Sequence, residues 1–423
     1  MTMLDQMKTE IKQELLGNII PFWRSLRDDE FGGYYGWLSY DLQLDQKAVK
    51  GCILNSRITW FFANAYTLYK KGLITETECR NEGFSGEDLL AEAKHGYEFL
   101  KSKCVDEKNG GIYWSLTYDG KPEDTTKHTY NQAFSIYALS SYYEASGDIQ
   151  ALELAYELFT LIEKRCTDNV GYLEAFTIDF KPESNEKLSE NGVMAAKTMN
   201  TLLHVFEAYT ELYRVTKACE TAKKTFQEQA LQVKERLAWI MDTFAEKIYN
   251  PKLHRQEVFF DEEYRSILDL HSYGHDIETA WLMDRGVEVL GDPAYEKKMT
   301  PITKDLTKTI YRVAFDGHSL ANECDRGIVN ANRVWWVQAA AVVGFLNGYS
   351  KEPSEENYLI AAENEWEFIK NHVIDKRKGS EWYWEVNPAG TPIKGRPIVE
   401  PWKCPYHNGR MCMEVIKRTA ICF

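Results

Sequence analysis

Three histidines lie in segments that also carry an amide, a carboxylate or a helix-start signal. His204 follows Asn200 by four residues and Glu278 follows His275 by three, so each pair shares one face of a predicted helix. His407 lies in EPWKCPYHNGR, where two prolines and a tryptophan precede a predicted helix. Imidazole has an ordinary pKa near ~6.5, which suits proton transfer at carbon in both directions near neutral pH. The three segments therefore predict an acid–base site.

The segment HSYGHDIE also allows a metal site, because His271 and His275 have the spacing of a zinc-binding pair with Glu278 nearby. Against this, no glutamate follows His271 directly, and Gly274 indicates that His271 precedes the helix. We therefore predict no metal and no other cofactor. Because the chain lacks GxGxxG after a strand, GxxxxGK[ST] and GxSxG, nucleotide-binding and serine-hydrolase sites are not predicted.

A glycoside hydrolase is the stronger rival, since helical barrels can cleave glycosides with two carboxylates. Asp124, Glu174, Asp276 and Glu278 are available for that role. The starts of the predicted helices are richer in His and Arg than in paired acids, and this balance favours proton transfer at carbon over hydrolysis.

The candidate residues lie in six similar helix-like segments with small and aromatic residues at i, i+3 and i+4. Markers near the start of each segment recur about every 70 residues, a length that holds two helices and their connections. These markers are Arg57, Asn131, His204, His275, Trp336 and His407. Most segments follow a short aromatic piece at a glycine turn that predicts a small hairpin: FGGYYGWLSYD, NGGIYWSLTYDG, VGYLEAFTIDF and GSEWYWEVNPAG.

Six helix pairs with short β-hairpins at one end predict an all-α closed ring, an (α/α)6 barrel whose inner helices are these segments. In such a ring the starts of the inner helices face one axial pocket. A lone helix pair cannot bury its apolar face, and no Gly/Ser/Pro-rich linker divides the chain, so we expect a single catalytic domain over residues 1–423. An open solenoid of helical repeats is the alternative.

Composition limits the kind of partner. The 423 residues are 44% hydrophobic and 27% charged, and 64 acidic against 50 basic residues give a net charge of -14. This balance predicts a globular protein that binds a neutral small molecule rather than nucleic acid or an anionic membrane. The N-terminus reads as an amphipathic helix without signal-peptide features, and the nine cysteines include no CxxC pair. We predict a cytoplasmic monomer with reduced thiols.

Five segments together resemble the N-acylglucosamine 2-epimerase superfamily, and in particular its cellobiose 2-epimerase branch: LNSRITWFFANAY, NTLLHVFEAY, SYGHDIETAWL, WWVQA and EPWKCPYHNGRM. The resemblance extends from GGYYGWLSYD to the last helix. It implies an (α/α)6 barrel that needs no metal and converts the reducing-end glucose of cellobiose, lactose and related β-1,4 disaccharides to mannose at C2. N-acylglucosamine epimerases, mannose isomerases and a carbohydrate-binding barrel without turnover are the alternatives.

By motif, the resemblance makes His275 and His407 the acid/base pair, with Arg57 and His204 near the reacting carbonyl and hydroxyl groups. Further positions implied to bind substrate are Asn200, Glu278, Trp281, Trp336, Trp402 and Ala340. Within this set the amide and the carboxylate would hold sugar hydroxyls, and Trp336 and Trp402 would stack on sugar rings.

Ala340 departs from the family pattern. Family members usually read WWxQxE, whereas this chain reads WWVQAA, with alanine where a glutamate is expected. Either the enzyme tolerates the loss or the chain is an impaired variant. A glutamate there could bond a sugar hydroxyl or orient an imidazole, so we expect this chain to turn over more slowly than one with the glutamate.

Overall fold

The computed structural model describes residues 3–421, and side chains for residues 4–418. Cys422 and the outermost ends of the expected domain lie outside the described residues. The α-helices are α1 (Met3–Glu14), α2 (Ile20–Arg24), α3 (Cys52–Lys70), α4 (Glu76–Asn81), α5 (Gly86–Phe99), α6 (Thr129–Ser146), α7 (Ile149–Arg165), α8 (Met199–Ala218), α9 (Glu220–Thr225), α10 (Gln227–Thr243), α11 (Tyr273–Leu290), α12 (Pro293–Val313), α13 (Trp335–Lys351), α14 (Glu356–Phe368) and α15 (Tyr406–Ile421).

Six of these helices form a closed inner ring. In the order α3, α6, α8, α11, α13, α15, each helix packs on the next, and α15 packs back on α3. Outside them lie α5, α7, α10, α12, α14 and α1, each against one inner helix. Because both faces of an inner helix are covered, residues such as Phe61 and Ala63 are fully buried. The predicted (α/α)6 barrel is confirmed, and the open solenoid is wrong because the ring closes.

Short strands lie at one end of the ring. They are β1 (Lys50–Gly51), β2 (Ser115–Leu116), β3 (Pro122–Asp124), β4 (Lys127–His128), β5 (Ala175–Phe176), β6 (Pro182–Glu183), β7 (Lys197–Thr198), β8 (Tyr249–Asn250), β9 (Arg255–Gln256), β10 (Phe259–Phe260), β11 (Leu270–Ser272), β12 (Glu323–Asp325), β13 (Ile328–Asn330), β14 (Arg333–Val334) and β15 (Glu385–Val386). Strands β1, β4, β7, β11 and β14 each lead directly into an inner helix and pair antiparallel with a strand that follows the next outer helix. Three of the four predicted hairpin pieces contain such a strand, whereas FGGYYGWLSYD forms only isolated bridges.

Buried ion pairs fix where the first three of these inner helices begin. Lys50, Lys127 and Lys197 each lie two residues before an inner helix, and their ammonium groups bind Asp28 (2.5 Å), Asp106 (3.0 Å) and Asp168 (2.6 Å) in the turn after an outer helix. The lysine side chains are 0–1% exposed, so breaking one pair would leave an uncompensated buried charge. These pairs hold the first residues of α3, α6 and α8 in place.

The sixth helix pair joins the two ends of the chain, since α1 packs on α15. Trp23 Nε1 donates to Glu381 Oε1 (2.9 Å), and Trp366 Nε1 donates to Glu10 Oε2 (2.9 Å). Among the described helices, none combines the length and apolar composition needed to cross a bilayer. The eight described cysteines, from Cys52 to Cys412, carry free thiols.

Candidate active site

A cavity of about 390 Å³ opens at the end of the ring where the inner helices begin. Seven of the ten residues singled out from the sequence line it: Arg57, Asn200, His204, His275, Trp336, Trp402 and His407. They come from five inner helices and from the loop before α15. Five of the six repeat markers thus meet at one axial pocket, whereas Asn131 donates to the Tyr113 carbonyl (2.7 Å) and does not line it.

Glu278, Trp281 and Ala340 do not line the cavity, and their expected contact with substrate stays a prediction. All three are at most 3% exposed. The reason is helix rise: at about 1.5 Å per residue, Glu278 lies ~4.5 Å and Trp281 ~9 Å further along α11 than His275. Ala340 likewise lies ~6 Å beyond Trp336 on α13. These three residues therefore lie behind the cavity wall, further along their helices than the residues that line it.

His275 is held by its own helix start and by a tryptophan. Ser272 Oγ lies 2.7 Å from His275 Nδ1, and the Trp336 ring lies 4.7 Å from the imidazole, centroid to centroid. Gly274 permits this packing, because a Cβ there would lie 2.5 Å from the Trp336 ring. Burial lowers the pKa of His275 to about 4, and the nearby Glu278 and Asp276 carboxylates offset that effect only in part. The imidazole is therefore neutral at pH 7 and can accept a proton.

His407 lies across Trp336 from His275, with its ring 5.5 Å from the indole. Its Nδ1 is 3.7 Å from Glu278 Oε1 and has no hydrogen-bond partner. Burial holds the pKa of His407 well below its ordinary value, and the charges of Arg410 and Arg57 lower it further. This second imidazole is also neutral at rest.

His204 has a carboxylate partner that sequence reasoning missed. Its Nδ1 lies 2.9 Å from Glu207 Oε2, and Tyr406 Oη donates to the same oxygen. Burial would raise the pKa of Glu207, but Arg410, His204 and Tyr406 outweigh it and hold the pKa at about 2. We assign a proton to His204 Nδ1 in this hydrogen bond, because Glu207 Oε2 can only accept.

Arg57 is a buried cation whose hydrogen bonds, within the described residues, involve no carboxylate. Its Nη2 donates to Tyr130 Oη (2.9 Å) and its Nη1 to the Trp402 carbonyl (3.5 Å). The guanidinium lies 4.1 Å from the ring centroid of Phe134, and Nε has no partner. A positive charge left free in this way can stabilise an oxyanion in the cavity.

Aromatic and charged residues surround the cavity mouth. Lys187 binds Asp124 (2.7 Å), and Arg396 binds Glu385 (3.4 Å) and lies over the Trp384 ring. Glu190 and Glu323, also on the wall, have pKa values raised by burial. A ligand that extends beyond the histidines would meet this polar and aromatic rim.

The geometry supports neither the metal site nor the pair of hydrolytic carboxylates considered for these motifs. His271 Nε2 lies 2.8 Å from Asp276 Oδ2 and not beside His275, and residues 3–421 contain no group of three His, Cys, Asp or Glu that could hold a metal ion. Glu174 accepts hydrogen bonds from Thr198 N and Thr201 Oγ1. Neither it nor the other three carboxylates considered for hydrolysis line the cavity.

Sequence reasoning also missed Tyr406, Arg410, Tyr130 and Ser272. Glu207 follows His204 by three residues, the same spacing that drew attention to His275 and Glu278, so that signal was present. Arg410 has the same spacing from His407. Ser272 precedes His275 by three residues, so its contact is also local. For Tyr130 the sequence holds no comparable signal, because only the folded ring brings it to Arg57.

Comparisons with known proteins agree with this geometry. The family described as N-acylglucosamine 2-epimerase (GlcNAc 2-epimerase) matches residues 33–408. A cellobiose 2-epimerase of Eubacterium cellulosolvens is 49% identical over 97% of this chain and 98% of its own length. One from Ruminococcus albus is 49% identical over 97% and 99%. The crystal structure of a sugar epimerase from a ruminal bacterium has a TM-score of 0.89 and 49% identity, covering 97% of this chain and 99% of that one.

Identity at this level over nearly the whole of both chains also supports a common activity. The protein is a carbohydrate 2-epimerase, hence an isomerase that acts on sugars. The chain belongs to the N-acylglucosamine 2-epimerase family and is similar throughout its length to the cellobiose 2-epimerases within it.

Proposed function

We propose that the chain epimerises the reducing-end glucose of β-1,4-linked disaccharides at C2, converting cellobiose to glucosylmannose and lactose to epilactose. One observation carries this proposal: three histidines line the same cavity as Arg57, whose hydrogen bonds among the described residues involve no carboxylate. Relatives named cellobiose 2-epimerase support the substrate class.

The reaction begins with ring opening, because C2–H is acidic only when C1 is a free carbonyl. One imidazole then breaks the C2–H bond and takes the proton, and the electron pair forms the C1–C2 double bond of a cis-enediolate with negative charge on O1. Arg57 stabilises that charge. The second imidazole takes the O1–H proton as the pyranose opens, while solvent protonates O5, and this imidazolium then returns its proton to the opposite face of C2. On ring closure the first imidazolium protonates O1 and O5 gives its proton back to solvent, so both histidines end neutral.

His275 and His407 are the pair proposed for this exchange, since they flank the same indole and belong to different helices. His204 and Asn200 would bind the hydroxyl groups beside the reacting carbons. Glu278, beneath the wall, would act through His407 rather than on the sugar. Trp281 and Ala340 would shape the layer below.

The second sugar unit would lie at the mouth. Trp402 and Trp384 both line the cavity and offer faces suited to the C–H side of a pyranose. Lys187, Glu323 and Arg396 offer polar groups to its hydroxyls. A site with this rim favours a disaccharide over N-acylglucosamine or mannose, the two alternative substrates.

Incubation with cellobiose, N-acetylglucosamine and mannose in parallel tests the proposal, with carbon-13 NMR as the readout. We expect glucosylmannose from cellobiose as the main product. Faster conversion of either monosaccharide would assign the chain to that activity, and binding without any conversion would make it a carbohydrate-binding barrel. We also propose that no metal or other cofactor takes part, so activity should survive prolonged EDTA treatment.

We further propose that residues 1–423 act as one domain and as a cytoplasmic monomer. The contacts between α1 and α15 support the first point, and the free thiols are typical of a reducing compartment. Light scattering should give a mass near 49.1 kDa, and twice that value would indicate a dimer.

A further inference from the structure

We propose that Arg410 is a positioning residue that joins two histidine–carboxylate pairs beneath the cavity and keeps His407 neutral until it receives the substrate proton. The inference rests on the proposed function for its chemical meaning. Its geometry stands independently of which sugar is bound.

Arg410 is shared between two carboxylates from different inner helices. Its Nη1 donates to Glu207 Oε1 (2.8 Å) on α8, and its Nη2 donates to Glu278 Oε1 on α11. Nη1 also donates to Tyr406 Oη. The guanidinium lies 4.9 Å from the ring centroid of Trp281 and 4.2 Å from that of Tyr406, and the side chain is 4% exposed. Packing on both sides leaves the group little freedom to take another position.

The two carboxylates serve their histidines differently. Glu207 uses Oε1 for Arg410 and Oε2 for His204 Nδ1, so both contacts are made at once. Glu278 uses Oε1 for Arg410, and that same oxygen is 3.7 Å from His407 Nδ1. Glu278 Oε2 and His407 Nδ1 are buried without partners. Arg410 and His407 thus compete for one carboxylate, and at rest Arg410 holds it.

This competition gives His407 two states. A neutral His407 that can accept the C2 proton at Nε2 already carries its own proton at Nδ1, 3.7 Å from Glu278 Oε1, and Glu278 stays bound to Arg410. Once Nε2 takes the proton, the charged ring can donate from Nδ1 to the free oxygen of Glu278 after a small shift. A charged hydrogen bond of this kind is stronger than a neutral one, so the imidazolium is stabilised only after proton transfer.

The charges that face His407 decide whether Arg410 raises or lowers the pKa of its imidazole. From the packed inner helices, the titratable or charged groups are Arg57 on α3, His204 on α8, His275 and Glu278 on α11, and Tyr406 and Arg410 on α15. The nearest rings of α13 are the uncharged Trp335 and Trp336. Burial lowers the pKa of His407 most, and Arg410 is the largest charged contributor in the same direction. Removing the guanidinium charge must therefore raise that pKa.

The test follows the titration of His407 in the resting protein by nitrogen-15 NMR, with His407→Gln used to assign the signal. Arg410→Gln removes the charge, and Arg410→Lys keeps the charge but lacks the planar fork that binds Glu207 through Nη1 and Glu278 through Nη2. Arg285→Gln is the matched control, because Arg285 lies lower on α11 and contacts Glu211 (3.4 Å). No turnover is needed, so the result is readable even if cellobiose is not the substrate.

We expect Arg410→Gln to raise the pKa of His407 by about one unit or more, and the Arg285 control to leave it unchanged. Arg410→Lys should keep most of the parental titration but lower kcat about tenfold with little change in KM. An unchanged His407 titration in folded Arg410→Gln would overturn the proposal. So would failure of both Arg410 variants to fold beside a folded control, since Arg410 would then be purely structural.

Discussion

Trp336 packs directly against Gly274 of α11. Adding one methyl group at Gly274 tests whether the positions of the catalytic histidines depend on that contact. A Cβ would lie 2.5 Å from Cη2 and Cζ3 of Trp336 and 2.8 Å from Cγ2 of Val337. Both neighbours are bulky side chains of α13, and Val337 is fully buried. Either α11 or the indole must therefore shift in Gly274→Ala.

The stability cost should be small and the catalytic cost large. Alanine gains about 1 kcal/mol over glycine inside a helix, whereas overpacking costs about 1–3 kcal/mol. We expect the free energy of unfolding to fall by at most ~2 kcal/mol. The Trp336 ring is 4.7 Å from His275 and 5.5 Å from His407, so a shift of the ring moves both imidazoles. A misplacement near ~1 Å lowers kcat/KM about a hundredfold.

Gly348→Ala on α13 is the matched control, because a Cβ there would lie 2.8 Å from Thr307 Cγ2 of the outer helix α12, about 18 Å further along α13 than Trp336. Urea titration gives the stability of each variant, and conversion of cellobiose per folded molecule gives kcat/KM. The control should lose stability and keep its activity per folded molecule. Parental kcat/KM in folded Gly274→Ala, or equal losses in both variants, would refute the reasoning.

Three further predictions follow from the same geometry. Ala340→Glu should raise kcat by about ten- to a thousandfold with a smaller change in binding, because the carboxylate would support the layer beneath the imidazoles. Steady-state kinetics and deuterium uptake at C2 measure the effect. If neither changes, the alanine is only a structural variation. Trp402→Ala should raise KM for cellobiose more than for glucose, since stacking contributes ~1 kcal/mol and the ring lies toward the mouth; equal effects would contradict this placement. Burial holds the pKa of His275 at about 4 while the unfolded chain keeps ~6.5, so the unfolded state binds more protons between these values and stability falls as pH drops. Relative to His275→Gln, the chain should lose about 2 kcal/mol of unfolding free energy by pH 5, and parallel urea midpoints would show that His275 is not buried as described.

The repeat in the sequence was sufficient to predict the ring. Markers such as Arg57 and His407 recur because each inner helix is built the same way, and a helix pair can bury its apolar face only against neighbours. The wall of the cavity follows from that repeat. The mouth does not, because Lys187 and Arg396 come from loops and Glu323 from β12, and their spacing is not repeated along the chain.

Depth along the helices does not follow from the sequence. Glu278 shares a face of α11 with His275 and Trp281 lies three residues further along, but sequence spacing does not indicate how far down the ring the cavity extends. The sequence also could not predict the partners of Arg410, because Glu207 and Glu278 lie on separate helices that are distant from Arg410 in the chain. Only the closed ring brings those charges together.

The central claim is that His275 and His407 exchange the C2 proton of a disaccharide in this cavity. Carbon-13 NMR of C2-labelled cellobiose in D2O, with the chain and its His275→Ala and His407→Ala variants, tests it most directly; an Ala340→Glu background serves if the parent is slow. The account predicts deuterium at C2 and glucosylmannose with the parent, and neither product nor exchange with either folded variant. Parental exchange and epimerisation in either variant would contradict it.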